Sequence, residues 1–221
     1  MHPSSPGRPV NGATSPPELL TLHALRLTGW PSTDAVAAWA ALERALVGEL
    51  LEDDEARGFV QRSTYGGRSG WSLTDRGRVE DERRLADELA RTGARNAVER
   101  AHERFLPMNE KFLAACTRWQ IRPTARDPFA INDHTDWRWD ERVLDELRRI
   151  EASLGDVCAE LLVLRRFDHY LGRFASARAR VARGELSWVD RPDADSCHLV
   201  WIQLHEDLLS TLGLQRGEHS T

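Results

Sequence analysis

The segment from Gly58 to Arg78, GFVQRSTYGGRSGWSLTDRGR, constrains the fold more than any other part of the chain. Phe59 and Val60 open one short strand, and Trp71-Ser72-Leu73 alternate back as a second. Between them Tyr65-Gly66-Gly67-Arg68-Ser69-Gly70 supplies glycines for a tip that needs positive φ. Thr74, followed by Asp75 and a charged run, is predicted to cap a helix, because its hydroxyl can accept from the unpaired N–H groups of a helix start. A β-hairpin feeding directly into a helix is the expectation.

Three short helices are predicted ahead of the hairpin. Leu19, Leu22, Leu25 and Leu27 mark the first, which stops at Gly29-Trp30-Pro31. Ser32 or Thr33 caps the second, with Val36, Trp39 and Ala40 at helical spacing. Leu42, Leu46, Leu50 and Leu51 place an apolar stripe on the third, which runs to about Arg57. Over residues 18–84 this order, with the ending Gly-Phe-Val … Gly-Trp-Ser-Leu-Thr-Asp-Arg-Gly-Arg, resembles the MarR- and PadR-like winged-helix regulators of bacteria. The resemblance implies a mainly α fold, with an N-terminal winged helix (three helices plus a β-hairpin wing) followed by an α-helical domain. It further implies double-stranded DNA as partner, with the third helix in the major groove. The phosphate-gripping residues it points to are Arg44, Arg62, Tyr65, Arg68 and Arg76, with Arg78 beside them.

Charge opposes that implication in one place. The polar positions of the third helix are Glu43, Arg44, Glu49, Glu52, Asp53, Asp54, Glu55 and Arg57, six acids against two bases, and carboxylates repel phosphates. The net charge of −5 likewise lacks the basic balance of a dedicated nucleic-acid binder, so any grip on DNA falls to local arginines. The cysteines, Cys116, Cys158 and Cys197, are odd in number and widely spaced, which argues against a disulfide framework and fits a reducing cytoplasm. No apolar run reaches membrane-spanning length. Residues 1–17 lack an apolar core for export and read as a disordered tail.

Residues 85–215 read as an α-helical sensor or dimerisation domain. Charged residues from Glu80 to Arg104 alternate in sign along a linking helix broken near Thr92-Gly93. From Ala97 to Gln120 a helix bent by Pro107 puts Ala101, Phe105, Met108, Phe112, Cys116 and Trp119 on one face, with Asn109 among them. A polar loop, Asn132 to Asp136, leads into a helix ended by Gly155; a longer helix spans 156–183, and a last one runs from about Ala194 to Leu212. At 100° per residue His198, Trp201, Ile202, His205, Leu209 and Leu212 share a face, and Asp168 falls on the apolar face of the helix before.

Buried polar groups cost roughly 1–3 kcal/mol unless partnered, so these residues are expected to meet one another, water or a ligand. One reading makes the histidines satisfied core or interface residues. A second makes Asn109, Trp119, Phe167, Asp168, His198, Trp201 and His205 an effector pocket for a small molecule. A third, a metal site using both histidines with Asp168 or with Asp133 and His134, is disfavoured because His198 and His205 stand ~10 Å apart along the axis. Thr135 or Asp136 suits a helix cap better than a ligand.

No motif calls for a cofactor, and none of the common catalytic signatures is present. The expectation is therefore a homodimeric, ligand-sensing bacterial regulator. The alternatives are an enzyme of specialised metabolism using His198 or His205 as acid–base with Asp168 orienting it, and a protein-interaction subunit whose acidic helix meets a basic partner.

Overall fold

Pro16 and Pro17 fix the entry of the first helix, since a proline at its first position loses no intrahelical bond. The computed structural model describes residues 12–215. From that start α1 (Pro17–Thr28), α2 (Thr33–Ala40) and α3 (Arg44–Ala56) lead to β1 (Val60–Tyr65) and β2 (Arg68–Leu73). The chain continues with α4 (Asp75–Thr92), α5 (Arg95–Gln120), α6 (Trp137–Leu161), α7 (His169–Ala182) and α8 (Cys197–Leu212), with 3-10 turns at Arg165–Phe167 and Leu186–Val189. The protein is thus mainly helical with a single two-stranded antiparallel hairpin among the described residues.

Local chemistry sets most of these boundaries. Ser32 Oγ accepts from Ala35 N, Thr74 Oγ1 from Gly77 N, and Asp136 from Arg138 N and Trp139 N, so each caps its helix as the sequence suggests. Gly93 and Gly213 end α4 and α8 in the left-handed region. The hairpin tip is tighter than its glycine content implied. Only Gly66 and Gly67 form it, both at positive φ, which keeps the register from Tyr65↔Arg68 to Val60↔Leu73.

Two apolar cores form. The first gathers Leu22, Leu25, Val36, Val47, Leu51, Val60 and Trp71 from the first three helices and the hairpin. The second holds Phe105, Phe112, Trp119, Leu147, Phe174 and Trp201 from α5 to α8, and also Leu89 of α4. α4, a continuous helix, leads out of the hairpin of the first core and contributes Leu89 to the second.

Several expectations need correcting. On α3 the inward positions are Val47, Leu51 and Asp54, while Leu46 is 37% exposed and Leu42 precedes the helix. Gly155 does not end a helix, because α6 runs through it to Leu161. The long helix expected over 156–183 is broken between Leu162 and Asp168, where the chain turns. Residues 1–11 of the expected tail lie outside the described residues. Its remainder is anchored: Ala13 N donates to Val163 O at 2.8 Å, and Arg165 N to Ala13 O at 3.0 Å.

Two glycines separate close approach from simple looseness. A Cβ at Gly77 would sit 1.9 Å from the carbonyl oxygen of Phe59, a backbone atom that cannot swing away. One at Gly48, inside α3, would meet nothing within 4 Å. Gly77→Ala is expected to destabilise the protein by at least ~2 kcal/mol, and Gly48→Ala to stabilise it by ~0.5–1 kcal/mol. Urea unfolding of both variants checks the opposite signs.

Candidate nucleic-acid interface and buried polar sites

The hairpin is held to the corner between α1 and α2 by a set of specific contacts. Trp71 N donates to Pro31 O at 2.9 Å, Trp71 Nε1 to Thr33 Oγ1 at 3.0 Å, and Trp30 Nε1 to Ser63 Oγ at 2.8 Å. The indole of Trp30 lies against Gly70, where a Cβ would come within 2.6 Å of the ring. Its outer face is left free. Tyr65 at the tip is 84% exposed, and Arg62, Arg68, Arg76 and Arg78 are all exposed. None of these four arginines has a carboxylate partner within ion-pair distance among the described residues. Arg62 lies over the Trp71 ring at 5.6 Å and Arg76 over Phe59 at 5.7 Å, so their stems are supported while their charge remains available.

On α3 the electrostatics differ. Asp54 is buried and meets Arg84 at 3.2 Å, and Glu55 accepts from the backbone N of Arg62 at 3.0 Å. Arg44 pairs with Asp34 at 2.6 Å in an exposed ion pair. Glu43, Glu49, Glu52 and Asp53 face solvent.

The residues named from the helical wheel are not gathered into one pocket. Trp201 Nε1 donates to Asn109 Oδ1 at 2.9 Å, so these two satisfy each other as expected of inward polar groups. His198 stacks near Phe112 at 6.3 Å, and His205 lies 5.1 Å from Phe105 and 6.3 Å from His102. Both histidines are half-buried. Burial lowers the pKa of His198. Phe167 is buried beneath the Arg166 guanidinium at 4.2 Å. Asp168 is exposed and sits 3.7 Å from Arg165, because the break before α7 rotates it off the apolar face. Trp119 packs against His134 with ring centroids 4.4 Å apart. No group of three His, Cys, Asp or Glu with metal-holding geometry occurs among the described residues. None of the described helices is long and apolar enough to cross a membrane.

What periodicity missed lies between the two cores. His23 of α1, Asp81 and Glu88 of α4, Arg166 of the 3-10 turn, Tyr170 of α7 and Asp207 of α8 form a buried polar seam. His23 Nδ1 lies 3.1 Å from Asp81 and Nε2 lies 3.1 Å from Asp207. A neutral imidazole has only one N–H, so two facing carboxylates require the imidazolium. Burial opposes that charge, but Asp81 and Asp207 outweigh it and raise the His23 pKa to about 9. Arg166 donates Nε to Glu88 at 2.8 Å, Nη2 to Thr211 Oγ1 at 2.6 Å and Nη1 to Asp207. Tyr170 OH donates to the other oxygen of Asp207 at 2.9 Å. Burial pushes the Asp207 carboxyl upward, yet Arg166 and His23 prevail and hold it well below the usual carboxylate range.

Asp81, Glu88 and Asp207 face Arg166 and protonated His23, and at the rim Arg26 lies 3.7 Å from Asp81 while pairing more closely with Glu82 at 2.9 Å and Glu206 at 3.1 Å. At the edge Trp39 of α2 bridges His23 at 6.1 Å and His169 at 5.3 Å, both edge-on. Burial and nearby Arg173 lower the His169 pKa to about 4, so it stays neutral. The available signal was a lone histidine set between Leu22 and Ala24 in the apolar run of α1.

Comparison with models of known families, with characterised proteins and with solved structures returned no match.

A proton held more tightly in the folded state stabilises fully below the unfolded pKa and progressively less as pH rises through the folded one. For His23 that window runs from about 6.5 to about 9, a loss of ~3 kcal/mol. Asp207, depressed on folding, loses its contribution as pH falls below the ordinary carboxylate range. Denaturant unfolding is expected to show stability falling from pH 6.5 toward 9 in the wild type, with this limb flattened in His23→Gln. The buried thiols, pushed up to about 12 at Cys116 and Cys197 and about 11 at Cys158, act only above the ordinary thiol range.

Proposed function

We propose that the protein is a DNA-binding regulator in which residues 18–84 form a winged helix and the hairpin is its wing. The order of three helices, hairpin and following helix supports this reading. The observation that carries it is the solvent-facing set Arg62, Tyr65, Arg68 and Arg76 on a hairpin braced by Trp30 and Trp71, with no carboxylate neutralising the arginines. In this reading the wing grips phosphates and Tyr65 reaches the duplex surface. The acidic outer face of α3 carries little of the affinity, because its carboxylates repel the backbone. The molecule works as a homodimer whose helical regions set the spacing of two wings, matching the two-fold relation of DNA half-sites. A small-molecule effector that favours one spacing shifts the population competent to dock.

Each phosphate contact removed is expected to lower the slope of log K against log salt by ~0.9. Selection from a random duplex library, followed by gel shift across a salt series, gives that slope for wild type and for Arg62→Ala/Arg68→Ala. The expected result is weaker binding with a slope smaller by ~2. Unchanged affinity and slope, or no duplex recovered, would reject the reading.

The exposed carboxylates of α3 favour a second reading, in which that helix meets a basic partner protein. Salt-sensitive association with a protein, lost on Glu49→Gln/Glu52→Gln and without duplex binding, distinguishes it.

A further inference from the structure

We infer that the cleft between the 121–136 loop, α6 and the end of α7 is a binding site for a neutral, planar, hydroxylated small molecule, whose hydroxyl donates to Nε2 of His134. This inference stands whether or not the hairpin contacts DNA.

Two cavities of about 640 and 370 Å³ meet there, and His134 and Leu186 line both. Volumes of this size suit a ligand of one or two fused rings or larger. His134 adopts φ +57, a left-handed conformation uncommon outside glycine, and its side chain is 34% exposed. The loop enforces this arrangement. Asn132, itself buried, accepts from His134 N at 3.2 Å and donates to Trp119 O at 2.9 Å and to Asp140 Oδ1 at 2.8 Å. Asp140, also buried, takes His134 Nδ1 on its second oxygen at 2.9 Å.

Asn132 Nδ2 also lies 3.2 Å from His134 Nδ1, but its two hydrogens are taken by Trp119 O and Asp140 Oδ1, so the Asp140 carboxylate sets the tautomer. With Nδ1–H donating to Asp140, the neutral tautomer of the imidazole presents Nε2 as an acceptor lone pair, and Nε2 has no protein partner among the described residues. A left-handed residue whose side chain is clamped by two buried polar groups at the junction of two cavities is a strained arrangement of the kind found at ligand clamps. The walls decide the ligand class. Trp137, Leu144, Val181 and Leu186 offer aromatic and aliphatic surface for a flat apolar body. Arg148 and Arg178 also line the wall, but each is paired with its own carboxylate, Asp145 and Glu151, so Asp140 and Glu141 beside the imidazole disfavour a carboxylate or phosphate; an acceptor nitrogen requires a donor, and a phenolic hydroxyl satisfies both demands.

The full chain is titrated with 2-naphthol and with 2-methoxynaphthalene, followed by arene fluorescence, while long-range ¹H–¹⁵N NMR reads the His134 tautomer. The expected spectrum shows Nδ1–H at His134. The hydroxyl arene is expected to bind saturably and about tenfold or more tighter than its methyl ether, which cannot donate. His134→Phe should erase that ratio. Ala182→Trp, at an exposed position on the cleft wall, should weaken both arenes about tenfold with the fold intact by circular dichroism. The inference is overturned by Nε2–H at His134, by absence of saturable binding, by equal affinity for the two arenes, or by binding indifferent to either substitution.

Discussion

The Asp207 carboxylate organises this molecule. It is fully buried and accepts from an imidazolium, a guanidinium, a threonine hydroxyl and a tyrosine hydroxyl drawn from α1, the 3-10 turn, α8 itself and α7. A buried carboxylate left without these donors costs several kcal/mol, so the two apolar cores close on each other only with these partners in place. Replacing such a cluster by well-packed apolar residues is often neutral in stability. What the charges supply is position: α1 and α4 fit against α8 in the register that pairs His23, Asp81, Glu88, Arg166 and Asp207.

That register explains features which otherwise look arbitrary. Arg166 reaches both Glu88 and Asp207 only because the chain leaves helical geometry after Leu161, and Ala13 bonds Val163 and Arg165 at the same break. The turn also re-aims α7, whose far end walls the cleft containing His134. On the other side of the seam Trp39 joins α2 to His169, so the helices that carry the hairpin are fixed relative to the helical core through aromatic as well as ionic contacts.

Short-range signals were readable in the sequence. Ser32, Thr74 and Asp136 as caps, Gly66-Gly67 as a hairpin tip, Gly93 and Gly213 as terminators, and the buried face of α5 all follow from interactions within a few residues. Long-range polar pairing was not readable. His23 and Asp207 are 184 residues apart, Arg166 and Glu88 are 78 apart, and no periodicity links them. The helical wheel also misjudged α8 because it assumes one buried stripe. α8 packs against α4, α5 and α7, so Asp207, Gln203 and Thr211 are buried while His198 and His205 are only half-buried. Asp168 was misplaced for a related reason, since its phase was counted along a helix that the ionic seam interrupts. Among candidate site residues, the hairpin arginines were legible as exposed. The His134–Asp140 pairing was hidden because it joins a left-handed loop residue to the first turn of a helix.

Native-state hydrogen exchange, read by mass spectrometry in wild type and Asp207→Ala, reports whether Asp207 couples the two cores. The slowest amides of α1–α3 and of α5–α8 are expected to exchange with one shared opening free energy in the wild type, and to separate into two groups with different values in the variant. Two groups already distinct in the wild type, or a single shared value persisting without Asp207, would contradict that coupling.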